Sequence, residues 1–449
     1  MSAQRTKTSK IPKHRLSRLA GFGMLTANVA ARTAFEGARR LSRGELPSAT
    51  DILMTPGNIL SITDELARMR GAALKMGQLI SMDAGELMPR ELSDLMARLR
   101  ADADFMPESQ LNSVLSKELG SDWRAKFADF EMRPIAAASI GQVHMASHRD
   151  GRKLAVKIQY PGVAKSIDSD IDNVISLFRL TGLAPPREKL GPLIVEAKQQ
   201  LHAESDYTLE ASNLEHFAKK LGGMRGFTLP KVESDLSTNK VLTMSFVAGR
   251  AIETVETEGQ ALRNAIFERL ITLALEEFFS FAFTQTDPNF ANYSYDKTTD
   301  TIGLLDFGAM RGIESKTIDC VARFIQAGLS GDRQTLKALA LELSLYDDKT
   351  DIRHRSLVDR MIVVVFAAIR QTDLYDFADE ELFEKLRSLG MELAADKSFN
   401  EVPPAELVFL QRKAIGLYLL GRRLRASIPL RDMLQRYADR QTETEGSNV

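Results

Sequence analysis

The chain holds one cysteine, Cys320, and one tryptophan, Trp123, in 449 residues. A single cysteine excludes an internal disulfide framework and a cysteine-based zinc site, and favours a reducing compartment. Net charge is nearly absent. The 59 Lys and Arg against 60 Asp and Glu leave −1 at pH 7, with a pI near 6.6, so nothing global points to nucleic acid. No run reaches the roughly 18 apolar residues of a membrane-spanning helix. The longest candidate, MIVVVFAAI (361–369), has the length of a buried helix. His144 and His148 are four apart but lie in a strand-like run, where that spacing does not converge on a metal as it does on a helix. The basic start is not followed by an apolar signal core. A mitochondrial presequence stays open, but Lys10-Ile11-Pro12-Lys13 favours a bacterial or cytosolic reading.

What is present describes a globular chain of two or three domains or lobes, 44% hydrophobic and 27% charged. Charge is uneven: Met1–Arg43 carries ten Lys/Arg and one acid, Glu36. A helix over Leu16–Leu41 would be basic and rich in small residues, a pattern that suits an anionic membrane surface. Residues 51–125 read as helical. Ser61 and Asp64 resemble a capping box, and Leu66, Met69, Ala73, Met76 and Ile80 follow with helical apolar spacing. Further helices are expected over Pro89–Arg100 and Glu108–Leu119. From Phe130 the texture changes. SIGQVHMASH (139–148) and KLAVKIQY (153–160) alternate about Arg149-Asp150-Gly151, which predicts a hairpin. A long helix follows over about 187–220, then a strand in NKVLTMSFV (239–247). The remainder is mostly helical, apart from short strands at YSYD and TIGLLDF. The C-terminal RQTETEGSNV is polar and expected to fray.

The strongest motif is TDPNFAN (286–292) followed by LLDFG (304–308). Asp287 and Asn292 are five apart, and Asp306 follows fourteen later at a strand end. Phosphoryl transfer needs a divalent ion to neutralise and align phosphates and a group to orient the acceptor. Asn and Asp oxygens suit such a hard cation, and this order is that of a kinase catalytic loop and metal loop. Upstream, Ala-Val-Lys places Lys157 on a strand, where it can hold phosphates as a point charge. AESDYTLEASN (203–213) offers Glu204, Asp206 and Glu210 as helix carboxylates for that lysine. The glycine-rich G-x-G-x-x-G is missing, replaced by PIAAASIGQVH (134–144), and no G-x-x-x-x-G-K-[ST] loop occurs.

Taken with LKMGQ (74–78), these motifs resemble the UbiB (AarF) family of atypical kinase-like proteins linked to ubiquinone biosynthesis, from about Lys10 to at least residue 420. The resemblance implies an α+β, two-lobed protein-kinase-like fold with an N-terminal helical extension carrying a K-x-G-Q helix. It implies that Ala136, Ala137, Ala138 and Ser139 form the alanine-rich nucleotide loop. Lys157 would hold phosphate with Glu210 as its helix partner, Asp287 would be catalytic, and Asn292 and Asp306 would ligate metal. Lys75, Gly77 and Gln78 would be the K-x-G-Q lid, with Glu204 and Asp206 as its E-x-D counterpart and Lys75 reaching toward Glu204. ATP or ADP and Mg²⁺ are the implied cofactors. Two departures stand out: DPNFAN replaces the family's more usual DPHPGN-like run, and Gly141 stands where alanine is common.

The expected division is a basic extension over 1–50, a helical K-x-G-Q segment over 51–129, a sheet-rich N-lobe over 130–250, a helical C-lobe over 251–435 and a polar tail over 436–449. The expected function is an ATP-binding atypical kinase, either an ATPase or a small-molecule or lipid kinase, supporting isoprenoid quinone biosynthesis or lipid homeostasis. Expected partners are nucleotide, an isoprenoid lipid or quinone precursor and a peripheral membrane surface, with no nucleic acid; a homodimer stays open. A catalytically weak lipid-binding or assembly scaffold is the alternative. A choline-kinase-like enzyme is disfavoured by the alanine-rich loop. Location is expected to be cytoplasmic in a bacterium, peripheral on the inner membrane, or mitochondrial in a eukaryote.

Overall fold

The computed structural model describes residues 66, 69, 71–73, 75–77, 105–180, 187–287, 289–396 and 405–446. The basic extension with its Leu16–Leu41 helix, the Ser61/Asp64 cap, Gln78, Ile80 and the Pro89–Arg100 helix lie outside the described residues. The chain forms two units, residues 1–212 with 231–246, and residues 213–230 with 247–449.

In the first unit, α1 (Glu108–Leu119) runs over the residues predicted for it and buries Leu111, Leu115 and Leu119, one stripe at four-residue spacing. Three strands follow, β1 (Asp129–Ala137), β2 (Gly141–Ser147) and β3 (Lys153–Gln159). Helices α2 (Val163–Leu180), α3 (Arg187–Glu204) and α4 (Tyr207–Leu221) come next. After β4 (Phe227–Thr228), β5 (Val241–Ser245) completes an antiparallel sheet of order β1-β2-β3-β5. The predicted hairpin is β2–β3, paired Val143↔Lys157 and His144↔Val156. Alternation sets its faces: Leu154, Val156 and Ile158 are fully buried while Lys157 points the other way. Pro134 sits on edge strand β1, where its missing N–H costs no ladder bond, and the register slips on both sides of it.

The long helix expected over 187–220 is two helices. Asp206 stops it: its carboxylate accepts from the Thr208 N–H at 3.0 Å and the Thr208 hydroxyl at 2.6 Å, which caps α4. Glu204 and Glu210 therefore lie on different helices.

His144 is a structural group. A carbonyl only accepts, so Nδ1–H must donate to Glu131 O (2.9 Å), leaving Nε2 to accept from the Gln142 amide at 2.8 Å. Gln142 Oε1 in turn accepts the Met106 N–H at 2.9 Å, and Phe130 stacks on the imidazole.

The second unit carries β6 (Arg250–Ala251), α5 (Gln260–Leu275), β7 (Phe283–Gln285), β8 (Tyr293–Asp296), β9 (Thr301–Leu304) and β10 (Met310–Gly312). Four strands form a sheet of order β4-β9-β8-β6, and β7 pairs with β10. A π turn, Glu276–Ser280, links α5 to β7. Then come α6 (Ser315–Ser330), α7 (Arg333–Glu342), α8 (Ile352–Arg370), β11 (Tyr375–Asp376), α9 (Glu380–Ala395), α10 (Ala405–Leu424), β12 (Ser427–Ile428) and α11 (Leu430–Gly446). Asp332, Asp351 and Asp379 start α7, α8 and α9 by accepting backbone N–H groups, the usual N-cap chemistry. The polar end expected to fray is helical to Gly446, and Gln441 donates from it to Asp319 on α6 at 2.8 Å.

Burial lowers the His144 pKa from the ordinary value near 6.5, with the Glu131 bond opposing. The folded chain thus prefers the neutral ring. The stability it contributes is complete above that value and is lost as pH falls below it, because the unfolded chain takes the proton first. Thermal melts by circular dichroism at about pH 7.5 and about pH 5.5 should show the wild type losing more stability on acidification than His144→Gln, which cannot titrate there.

Candidate active site

The first unit brings a lysine and a carboxylate together. β3 pairs with β2 on one side and β5 on the other, Lys157 opposite Val143 and Leu242, so its position is fixed by two ladders. Its ammonium donates to both oxygens of Glu210, each at 2.8 Å, and lies 5.1 Å from the centre of the Tyr207 ring. Glu210 is 2% exposed, and a carboxylate so deeply buried requires a cation. The cap at Asp206 sets where α4 starts, and therefore where Tyr207 and Glu210 fall.

The alanine-rich stretch is mostly strand. Ala136 and Ala137 end β1, paired with Val143 and Gln142, and only Ala138, Ser139 and Ile140 make the turn. That turn closes by Ala138 N–H to Gly141 O at 2.9 Å. A helical segment covering residues 71–73 and 75–77 packs on it. A Cβ at Gly71 would stand 2.9 Å from the Ser139 carbonyl oxygen and from Ile140. Lys75, 4% exposed, donates to Glu204 Oε1 at 2.7 Å, and Ser139 Oγ donates to Glu204 Oε2 at 2.6 Å. Glu204 thus joins the Lys75 helix to the alanine turn. Asp206 serves its own helix instead, and Gly77 is buried.

The second unit brings the Asp287/Asn292 and Asp306 loops together through one hairpin. β8 and β9 pair Tyr293↔Leu304 through Asp296↔Thr301, and Leu305 N–H reaches Asn292 O at 3.0 Å. Asn292 and Asp306 are thereby placed at the same end of one ladder. Asp287 Oδ1 accepts the Asn289 N–H at 3.2 Å, and Asp306 Oδ1 accepts the Gly308 N–H at 2.9 Å. Phe307 is buried against Phe217, and Asn213 on α4 donates to its carbonyl at 3.0 Å. The Tyr293 phenol is held far above its usual range, first by burial and then by the charges of Glu277 and Asp287.

Residues 98–340 match the family model of the ABC1 atypical kinase-like domain. "Atypical kinase COQ8, mitochondrial" of Saccharomyces cerevisiae is 35% identical over 431 residues, 94% of this chain and 84% of that protein. The chain belongs to the ABC1 atypical kinase-like family. "Atypical kinase COQ8B, mitochondrial" of Rattus norvegicus is also 35% identical, over 98% of this chain and 84% of its own. A solved structure, the Rv3197–erythromycin complex from Mycobacterium tuberculosis, shares the fold. It has a TM-score of 0.58 at 22% identity and covers 91% of this chain and 97% of that one. The fold is accordingly α+β and protein-kinase-like, as the UbiB resemblance implied.

The oxygen donors of this ABC1 chain fit Mg²⁺. Asn292 is buried, and its side-chain amide nitrogen has no hydrogen-bond partner among the described residues; the part of this amide that could meet a cation is its oxygen. Asn and Asp oxygens on adjoining loops are the ligands such an ion takes. Sequence reasoning missed the polar side chains that support these loops, Asn213, Glu277 and Gln285, and in the first unit the Tyr207 ring beside Lys157. Gln285 stands two residues before Asp287, a position that could have drawn notice.

Gly141 has no room for an alanine methyl. A Cβ would lie 2.4 Å from the Ile158 carbonyl oxygen and 2.9 Å from the Tyr207 hydroxyl. Gly141→Ala should cost about 1–3 kcal/mol by overpacking. Gly223→Ala, where a methyl meets nothing within 4 Å, should change stability by less than about 0.5 kcal/mol. Chemical denaturation of both variants checks the contrast.

Proposed function

We propose that the chain binds a magnesium nucleotide, ATP or ADP, and acts as an ATPase or a kinase toward a small isoprenoid lipid or quinone precursor. The observation that carries this reading is the Lys157–Glu210 pair, a strand lysine held by both oxygens of a buried helix carboxylate. A lysine so restrained presents one fixed positive charge to a phosphate chain. Bound Mg²⁺ would neutralise and align the phosphates. Asn292 and Asp306 are the residues to hold it, and Asp287 is the group to orient the acceptor hydroxyl and take its proton. Ser139 and the preceding alanines are assigned to nucleotide contact. Lys75, Gly77, Gln78 and Glu204 are assigned to the lid over that turn, and Asp206 to the junction that positions Glu210.

The COQ8 names of the relatives, together with the motif resemblance, support a place in ubiquinone metabolism, and their mitochondrial labels support an organellar or bacterial setting. Among the described residues no helix is long and apolar enough to cross a membrane. Membrane contact would then be peripheral.

Calorimetric titration of ADP with Mg²⁺ tests the nucleotide reading. Lys157→Met should weaken binding by at least about ten-fold, the loss of one charge-assisted phosphate contact. Asp306→Asn should remove the dependence on Mg²⁺. Asp287→Asn should leave binding intact and lower ATP turnover by about 10²- to 10⁴-fold. Wild-type protein that binds no nucleotide would sink the proposal, and Asp287→Asn with unchanged turnover would sink the assignment of Asp287.

A further inference from the structure

The family domain covers residues 98–340, and α10 lies beyond it. Yet α10 places a lysine in the interior of the second unit. Lys413 is 8% exposed. Its ammonium meets Glu277 Oε2 and also donates to Thr284 Oγ1 at 3.0 Å. The same carboxylate oxygen accepts the Thr284 hydroxyl at 2.8 Å and the Gln285 N–H at 3.0 Å. Glu277 thus gathers three donors, one each from α10, a threonine side chain and the backbone of β7.

What this cluster holds is the approach to both loops. The Gln285 side chain donates from Nε2 to the Asp306 carbonyl at 2.7 Å and accepts from the Tyr293 hydroxyl at 3.1 Å. Gln285 is two residues before Asp287. Tyr293 is one residue after Asn292. A single side chain therefore bonds to the Asp306 backbone and to the neighbour of Asn292, from the strand that leads into Asp287. α10 also touches the strand that leaves the metal loop. Arg311 of β10 lies 4.3 Å from the centre of the Phe409 ring, and Leu410 packs against Phe278, Ile313 and Ile318. β7 and β10 pair with Gln285 opposite Met310.

Packing alone does not require an ion pair here. Replacing a buried ion pair by apolar residues of similar volume is often neutral or stabilising, because two charges must be stripped of water. What the pair does supply is direction, since a carboxylate accepting three donors admits few arrangements. We propose that Lys413 is a positioning residue: through Glu277 and Gln285 it sets the Asp306 and Asn292 loops for the divalent ion. This rests on the nucleotide reading above.

The test is Mg²⁺-dependent ADP binding by the full chain, followed by calorimetry, with thermal melts alongside. Glu277→Gln/Lys413→Met removes both charges together and leaves the Gln carbonyl to accept from Thr284 and Gln285. Gln285→Met leaves the ion pair untouched and cuts the link to Asp306. Both variants should melt cooperatively and bind ADP in EDTA as the wild type does. Both should need about 10- to 100-fold more Mg²⁺ for half-saturation, the usual effect of losing an outer-shell partner. A purely structural role would lower the melting temperature and leave the Mg²⁺ requirement where it was, and that result overturns the inference. If the double variant does not fold, Gln285→Met decides alone. A wild-type chain without Mg²⁺-dependent binding would fail the nucleotide reading, and this inference with it. A normal wild type with unshifted variants fails this inference only.

Discussion

Glu210 is the constraint from which the first unit is best understood. A carboxylate 2% exposed is tolerable only beside a cation that it can hold with good geometry, and Lys157 meets it with two bonds of 2.8 Å. Everything nearby serves that meeting. Two strand ladders fix Lys157, and an Asp206 cap fixes the start of α4, hence the rotation that aims Glu210. A shift of one residue in β3 would turn Lys157 to the core face and move Leu154, Val156 and Ile158 off it. The alternation of that strand and the ion pair therefore enforce the same register.

The second unit solves a different problem, which is to set short oxygen-bearing side chains on loops without letting those loops wander. Its device is the β8–β9 hairpin, whose last backbone bond, Leu305 N–H to Asn292 O, carries the ladder up to Asn292 and Asp306. Loop residues then bond locally. Asp287 takes the Asn289 N–H, Asn289 takes the Ala291 N–H, and Thr286 donates twice to Ala309 O. These short-range bonds leave the loops little conformational freedom before any ligand arrives.

Much of this was legible in the sequence because it is local. TDPNFAN and LLDFG state their chemistry in a few residues, and the period-two pattern of KLAVKIQY places Lys157 on a strand. The break at Asp206 was harder to see, because the flanking apolar spacing is helical on both sides and only a capping side chain interrupts it. The alanine stretch read as a loop because alanines replaced the expected glycines, yet small residues can also continue a strand, and the turn proper begins at Ala138. Least legible were the contacts across long separations. Nothing around Glu277 announces a lysine 136 residues away, and Arg412-Lys413 in an apolar helix looks like an ordinary charged edge.

Three buried or nearly buried lysine–glutamate pairs recur among the described residues: Lys75–Glu204, Lys157–Glu210 and Lys413–Glu277. Each joins segments far apart in the chain, by 129, 53 and 136 residues. Apolar contacts would hold the same segments together with less desolvation, and they would tolerate small slides along the contact. An ion pair with further hydrogen bonds does not tolerate them, since a displacement of an ångström or so breaks a bond whose partners cannot reach water. The three pairs sit where a slide would matter: at the alanine turn, at the strand lysine, and at the strand leading into Asp287. A nucleotide site of the kind proposed above would need positions fixed to a fraction of an ångström. Ionic joints at these places, with apolar packing elsewhere, are the arrangement that would meet that need.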